Sequence, residues 1–332
     1  KKDLQIANTS ISTIVSDHPS IVAAYAKLDT YVSTYDNSVE IESGAKATFK
    51  AAIDKAEEDA DNAVTVEEIN NAIIVLETAR QTYVQKADPT NDTYFDYTFK
   101  IKDPAVVDGN GWTGKRTNSG QQYTGAPDNT YLDSWNGNGQ NIYQEIANLP
   151  SGLYTLKAAG RASTSCTSAY IYLNDTKADF EKVGSEGNDL GQGWKWYTTE
   201  KTAVAGTAKV GFGCNTTSEQ WAGADDFHLY YYGFDVETAQ NSVTTLKAEA
   251  EALVDKPMNA EVATALGEAI AGADASKATR NELDPMIADL STAIADAEAS
   301  IAAYETIATY IAKANKIDES IAADYQTAYN NG

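Results

Sequence analysis

A chain of 332 residues is long for one hydrophobic core and implies two or three domains. Its 48 acidic and 25 basic residues leave a formal charge of −23, which argues against phosphate-bearing partners, nucleic acid and anionic membrane surfaces alike. No apolar run is long enough to span a bilayer, and the opening "KKDLQIANTS" lacks the apolar stretch of a signal peptide, so any export signal is expected to have been removed or to lie outside this sequence.

Residues 1–88 are expected to form a helical bundle. In "TVEEINNAIIVLETA", from Thr65, the apolar Ile69, Ile73 and Leu76 recur at helical spacing. At Asp88–Pro89 the composition changes sharply. Residues 89–235 become rich in Gly, Asn and aromatics, with short runs such as "NIYQEIANL", "LYTLKAAGRA", "AYIYLND", "WKWYTTEKTAV", "AKVGFGC" and "DDFHLYYYG". Short segments separated by turn residues predict an antiparallel β-sandwich. "LPSGLYTL" (149–156) reads as a tight turn, with proline fixing one dihedral and glycine supplying another.

If successive strands run antiparallel, loops 134–140, 163–168, 184–193 and 214–220 share one end of the sandwich. Their edges carry Trp135, Trp194 and Trp221 with Asn136, Asn138 and Asn215. Flat indoles suit the apolar faces of pyranose rings, and amides offer hydroxyls both a donor and an acceptor. Trp194 and Trp196 alternate onto one strand face, and Trp196 is the one expected in the core. Arg161 is out of phase with Tyr154, Leu156 and Ala158, so it faces away from them, toward either an acidic sugar or a surface acid. Cys166 and Cys214 fall at the same end, as a disulfide of an exported protein or as two unrelated buried thiols; the disulfide is the favoured reading. Asp225 is in phase with Phe227 and Leu229 and is expected to turn inward, where a carboxylate needs a partner. The 20 tyrosines against 7 phenylalanines suit surfaces wet on one side and apolar on the other.

Residues 236–300 read as an antiparallel three-helix bundle. Val243, Leu246, Ala250 and Leu253 mark its first helix, and Val262, Leu266, Ile270 and Ala273 its second. "TRNELDPMIADLSTA", from Thr279, marks the third, opening on the capping-box pattern "TRNE" and matching the stretch from Thr65. "IAAYETIATYI" (301–311) echoes "VAAYAKLDTYV" (22–32), so residues 301–332 read as the truncated start of a further repeat and the chain as part of a longer polypeptide.

The Ala-rich pattern of residues 18–86 and 238–332 resembles the FIVAR-type bundles between modules of secreted bacterial glycan-degrading proteins. That resemblance implies rigid, independently folding spacers without a ligand. "IYQEIANLPSGLYTLKAAGRA", "KVGFGC" and "WAGADDFHLYYYG", in that order, resemble the galactose-binding-like jelly rolls that serve as carbohydrate-binding modules, over residues 91–233. This second resemblance implies a sandwich of eight or so strands with a structural calcium. The acid two residues before the closing aromatic, Asp225, would bind the ion with Asp92 or Asp96 of "NDTYFDYTF"; otherwise Asp225 accepts from a backbone turn.

The expected fold class is therefore α + β and multidomain, with an antiparallel jelly-roll sandwich between three-helix bundles. The expected function is non-catalytic binding of polysaccharide or oligosaccharide, targeting further domains of a longer secreted or cell-surface protein to glycan. The alternative is a structural or adhesive surface protein that binds another protein. A monomer is expected. Catalysis finds little support, because the sequence has two histidines, His18 and His228, and Asp225 and Asp226 point to opposite strand faces.

Overall fold

The computed structural model describes residues 19–331 apart from 20, 21, 24, 25, 64, 121, 122, 137, 138 and 217–219. The chain divides into two compact units, Lys1–Asp235 and Val236–Gly332.

The first unit opens with helices α1 (residues 26–36), α2 (Ala45–Asn62) and α3 (Val66–Val84). At the start of α3 the Thr65 side chain accepts from the Glu68 amide, and the Glu68 carboxylate accepts from the Thr65 amide, so two unpaired donors are satisfied reciprocally. Ile69, Ile73 and Leu76 of α3 are buried, as are Phe49, Ile53 and Ala56 of α2. Strands β1 (Ser38–Glu40) and β2 (Ala87–Pro89) pair into a short ribbon beneath them.

The sandwich comprises β3 (Phe95–Asp96), β4 (Thr117–Ser119), β5 (Thr130–Trp135), β6 (Gln140–Ala162), β7 (Ser168–Leu173), β8 (Thr176–Asp179), β9 (Lys195–Thr198), β10 (Thr202–Asn215) and β11 (Trp221–Tyr231). Every pairing among them is antiparallel. One layer runs β4, β5, β11, the second half of β6, then β9; the other runs the first half of β6, β10, β7, β8. Leu156, Ala158, Ala162, Leu229 and Tyr231 from the first layer share a core with Ile142, Ile171, Val210 and Phe212 from the second. Phe180 links the two: it stacks on Phe212 at 6.0 Å and lies so close to Gly160 that any Cβ there would overlap its ring.

The tight turn expected at Leu149–Gly152 is a bend within one strand. β6 and β10 fold over together there, paired throughout, with the register irregularity absorbed at Gly206 (φ 75°). The chain thus passes between layers without a hairpin, and the ends of β6 still return to the same end of the sandwich.

The composition break at Asp88–Pro89 is not a break in packing. Tyr97 is fully buried and donates its hydroxyl to the Val84 carbonyl of α3 at 2.7 Å. Its ring lies 5.4 Å from Tyr231 and 6.1 Å from Tyr154, and Tyr231 donates to Asp88 at 2.5 Å. Arg80 of α3 donates to the Asp96 carbonyl of β3 at 3.0 Å. Helices and sandwich share one continuous cluster of buried residues. Much of the tyrosine excess is explained here: these rings fill a core while their hydroxyls find carbonyl or carboxylate partners.

The second unit contains α4 (Val236–Glu251), α5 (Ala260–Gly272) and α6 (Arg280–Asn331), buried along Val243, Ala250, Leu266, Leu283, Ile287 and Leu290. α6 is 52 residues long and runs through the boundary expected at 300–301. No helix among the described residues is long and apolar enough to cross a membrane.

Candidate functional site

Backbone and side-chain bonds tie the loop end together. Asn136 donates to the Gln220 carbonyl at 3.1 Å, Ser163 to the Trp221 carbonyl at 2.9 Å, Thr167 to the Asn215 carbonyl at 3.2 Å and Gly184 to the Ala162 carbonyl at 3.0 Å. The hydroxyls of Ser134 and Thr216 bond at 2.9 Å. Loops 134–140, 163–168, 184–193 and 214–220 therefore meet.

On the outer face of the first layer, Trp221 of β11 lies directly opposite Trp135 of β5. Residues directly opposite in an antiparallel pair project to the same face, so both indoles rise from one face at this end. Trp135 is 46% exposed and Trp221 partly so. Arg161 of β6 lies beneath Trp221, 3% exposed. Its guanidinium carbon is 4.8 Å from the Trp221 ring, 4.9 Å from Trp194 and 5.0 Å from Tyr131, and Nη2 donates to the Tyr131 hydroxyl at 2.9 Å. Three π faces share one planar cation, which fixes the indole of Trp221 from below. Nε and Nη1 of Arg161 are buried without a hydrogen-bond partner. Burial pushes its pKa below the ordinary arginine value. Asp133, on the same face of β5, has its carboxyl raised by burial and lies 3.6 Å from Arg116.

The remaining expected residues sort differently. Trp194 is fully buried against Tyr123 and Tyr131, so it supports the platform from within, whereas Trp196 is partly exposed beside Lys157. That is the reverse of the expected assignment. Asn136 is exposed at the loop end with φ 52°. Asn138 lies outside the described residues. Asn215 is on β10 and lines a cavity on the outer face of the other layer. Tyr131 and Asp133 were missed, although the alternation in "TYLDSW" places both on the face of Trp135.

Asp225 also faces outward, not into the core. A bulge at Asp226 (φ 51°) shifts the register between Asp225 and His228, so Trp221, Gly223 and Asp225 share the outer face while Phe227, Leu229 and Tyr231 point inward. Asp225 is fully buried nonetheless. Its Oδ1 accepts from the Asp226 amide at 2.8 Å, and its Oδ2 has no partner. Burial, then the charges of Asp226 and Asp128, push its pKa up to about 8. The hydroxyl of Tyr123 and Oδ2 of Asp128, both close enough to influence it, are likewise buried without partners.

The expected calcium ligands do not assemble. Asp96 pairs with Tyr230, five residues along β11 from Asp225, and caps its own turn by accepting from the Thr98 amide at 2.8 Å. Asp92 is an exposed turn residue with φ 55°. Among the described residues no group of three or more His, Cys, Asp or Glu is placed to hold a metal ion. The oxygens nearest to such a role are those of Asp225, Asp128 and Tyr123, which is not the expected set.

Cys166 and Cys214 are neighbours at the loop end but are free, buried thiols and not the expected disulfide. The Cys166 sulfur is turned to the Ser168 carbonyl at 3.2 Å, while Cys214 faces the core from β10. Burial pushes the Cys214 thiol up to about 11. Thiol titration of unreduced, denatured protein should count two, and the native protein should react slowly at pH 8, since the thiolate is the reactive form. A Cys166–Cys214 disulfide in peptide mapping would contradict this arrangement.

These strands define an antiparallel β-sandwich with an aromatic platform at its loop end. No family model and no curated protein matches the chain. Solved structures similar to it include TmCBM61 in complex with β-1,4-galactotriose, at 17% identity over 40% of this chain and 97% of that one, with a TM-score of 0.32. A family 35 carbohydrate-binding module from an environmental isolate matches at 18% identity over 37% and 88%, with a TM-score of 0.29. CBM35 from Cellvibrio japonicus Abf62 matches at 19% identity over 38% and 88%, with a TM-score of 0.27. The sandwich is defined by its own antiparallel strand pairings.

Proposed function

We propose that the first unit binds glycan without cleaving it, through the Trp135–Trp221 platform at the loop end, and so holds an attached protein against polysaccharide. The observation that carries this reading is the cross-strand pair of accessible indoles, backed by a buried cation and fully buried Trp194. Such a pair offers two flat apolar surfaces on one face, and the Trp221 indole, held on Arg161, has little side-chain entropy left to lose. Asn136 beside them supplies hydrogen bonds to hydroxyls.

Affinity electrophoresis of the full chain against β-1,4-galactan, xylan, mannan and β-glucan tests the reading. Retardation by one of them is expected. Trp221→Ala and Trp135→Ala should each weaken it by about 1–3 kcal/mol, by analogy with aromatic–base stacking, with unchanged circular dichroism. Retardation undiminished in both variants would remove the platform from the site, and retardation by none of the glycans would favour a protein partner.

A further inference from the structure

The cavity that takes Asn215 opens on the outer face of the second layer and reaches the loop end, where Gly139, Gln140 and Asn215 line it. It is open, about 360 Å³ in volume, and lined among others by Asn141, Tyr170, Tyr172, Lys177 and Lys209. Its floor is made by an alternation in "KVGFGC". Val210 and Phe212 point into the core, so Gly211 and Gly213 face outward between Lys209 and Asn215. Gly211 is paired with Tyr172 and Gly213 with Tyr170. A Cβ at either glycine would lie 2.5 Å from the tyrosine ring, so the missing side chains are what allow both rings to lie down across β10. The Tyr172 hydroxyl is fixed by donating to Asn141 Oδ1 at 2.5 Å, and Tyr170 is left partly accessible.

Two cations complete the cavity. Lys209 Nζ sits 3.6 Å from the ring centre of Tyr143, and Lys177 Nζ 4.1 Å from that of Tyr170. Neither makes an ion pair with a described residue, although Glu145 lies opposite Lys209, Asp179 opposite Tyr170, and Asp175 at the rim. Two ammonium groups without carboxylate partners, held over aromatic rings in so acidic a protein, are placed for an anion brought from outside. Beside them Asn141 and Asn174 offer amides.

We propose that this cavity is a second glycan subsite, selective for a sugar unit carrying a negative charge. The sugar's carboxylate or sulfate meets Lys177, held over the Tyr170 ring, and Lys209, and its hydroxyls meet Asn141 and Asn174. The proposal goes beyond the platform, and its test is separate from that of the platform.

The test is affinity electrophoresis and titration of the full chain with polygalacturonic acid (carboxylated), chondroitin sulfate (sulfated) and neutral β-1,4-galactan. Binding to at least one charged polymer is expected, weakened about ten-fold or more in the double variant Lys177→Ala/Lys209→Ala. It should weaken with added salt in the parent and much less so in the variant. Tyr170→Ala, which removes the ring beneath Lys177, should reduce the same binding. Carboxylated against sulfated polymer identifies which anion is preferred. Charged polymers bound equally by parent and double variant, or not bound at all, would overturn the proposal. Loss of galactan binding alone in Trp221→Ala would concern the platform and leave this subsite standing.

Discussion

Replacing Arg80 with alanine should cost the first unit about 3–5 kcal/mol, the range for breaking a buried ion pair from one side. Arg80 is 6% exposed. Its Nε and Nη2 form a fork on the two oxygens of Glu77 at 2.9 and 2.7 Å, and Nη1 reaches across to the Asp96 carbonyl. Burial works against both charges, but each outweighs that for the other: Arg80 is held above its usual pKa, and Glu77 falls to about 2. The sign follows from that depression. A carboxylate whose folded pKa lies below its unfolded value stabilises the fold above about pH 4.5, and loses that contribution as pH falls toward 2. In Arg80→Ala the half-buried Glu77 keeps only the Gln81 amide at 2.9 Å and no opposing charge, so the variant should unfold at lower urea over the neutral range and show a flatter acid limb than the parent. Arg80→Met with Glu77→Gln should recover part of the loss, because no charge is left unpaired. Parent-like urea midpoints in Arg80→Ala would mean that the fork contributes nothing. The same packing makes a cut at Asp88–Pro89 damaging. A fragment of residues 89–235 would uncover Tyr97 and Phe99, now against α3, and Tyr231, now bonded to Asp88, and it should show lost near-ultraviolet dichroism and aggregation rather than independent folding.

What was legible in the sequence was whatever depends on local alternation and turn chemistry. The strands of "AYIYLND", "KVGFGC" and "DDFHLYYYG" occur where a period of two predicts them, and antiparallel alternation correctly grouped the four loops that meet at one end. Arg161 was placed on the right face by the same count. The count failed where one residue breaks the period. A single extra residue at Asp226 reverses the face of everything before it, so Asp225 and Trp221 could not be related to Phe227 by parity. Nothing in "GADDFHL" reports that bulge except an aspartate tolerating φ of 51°. Trp194 and Trp196 share a strand face, and burial of the first was decided by Tyr123 and Tyr131 arriving from distant segments. The union of helices and sandwich was hidden for a similar reason. Composition changes at residue 88, but Tyr97, Tyr154 and Tyr231 cross that change through tertiary contacts that no local pattern encodes.

Asp225→Asn should stabilise the first unit above neutrality. The parent carboxyl has no partner for Oδ2, lies beside Asp226 and Asp128, and titrates at about 8 instead of 3.8. Between those values the unfolded chain has released the proton while the folded chain still holds it. The folded state binds more protons there, so its stability falls as pH rises, starting near 4 and levelling off above about 8. The full shift corresponds to on the order of 5 kcal/mol. Below pH 8 the neutral carboxyl can donate to the Tyr123 oxygen or the Asp128 carboxylate, which satisfies oxygens that otherwise lack partners. Above it, three buried oxygens and an unpaired charge crowd one site. Asparagine keeps the shape and the donor and never ionises. The difference in urea-derived stability, variant minus parent, should therefore be near zero at pH 4 and grow to several kcal/mol by pH 9. A variant that is instead less stable than the parent at pH 9, or a parent whose melting temperature rises on adding calcium while the variant's does not, would show that Asp225 works as an ionised ligand and that its neighbours close around a cation, not a proton.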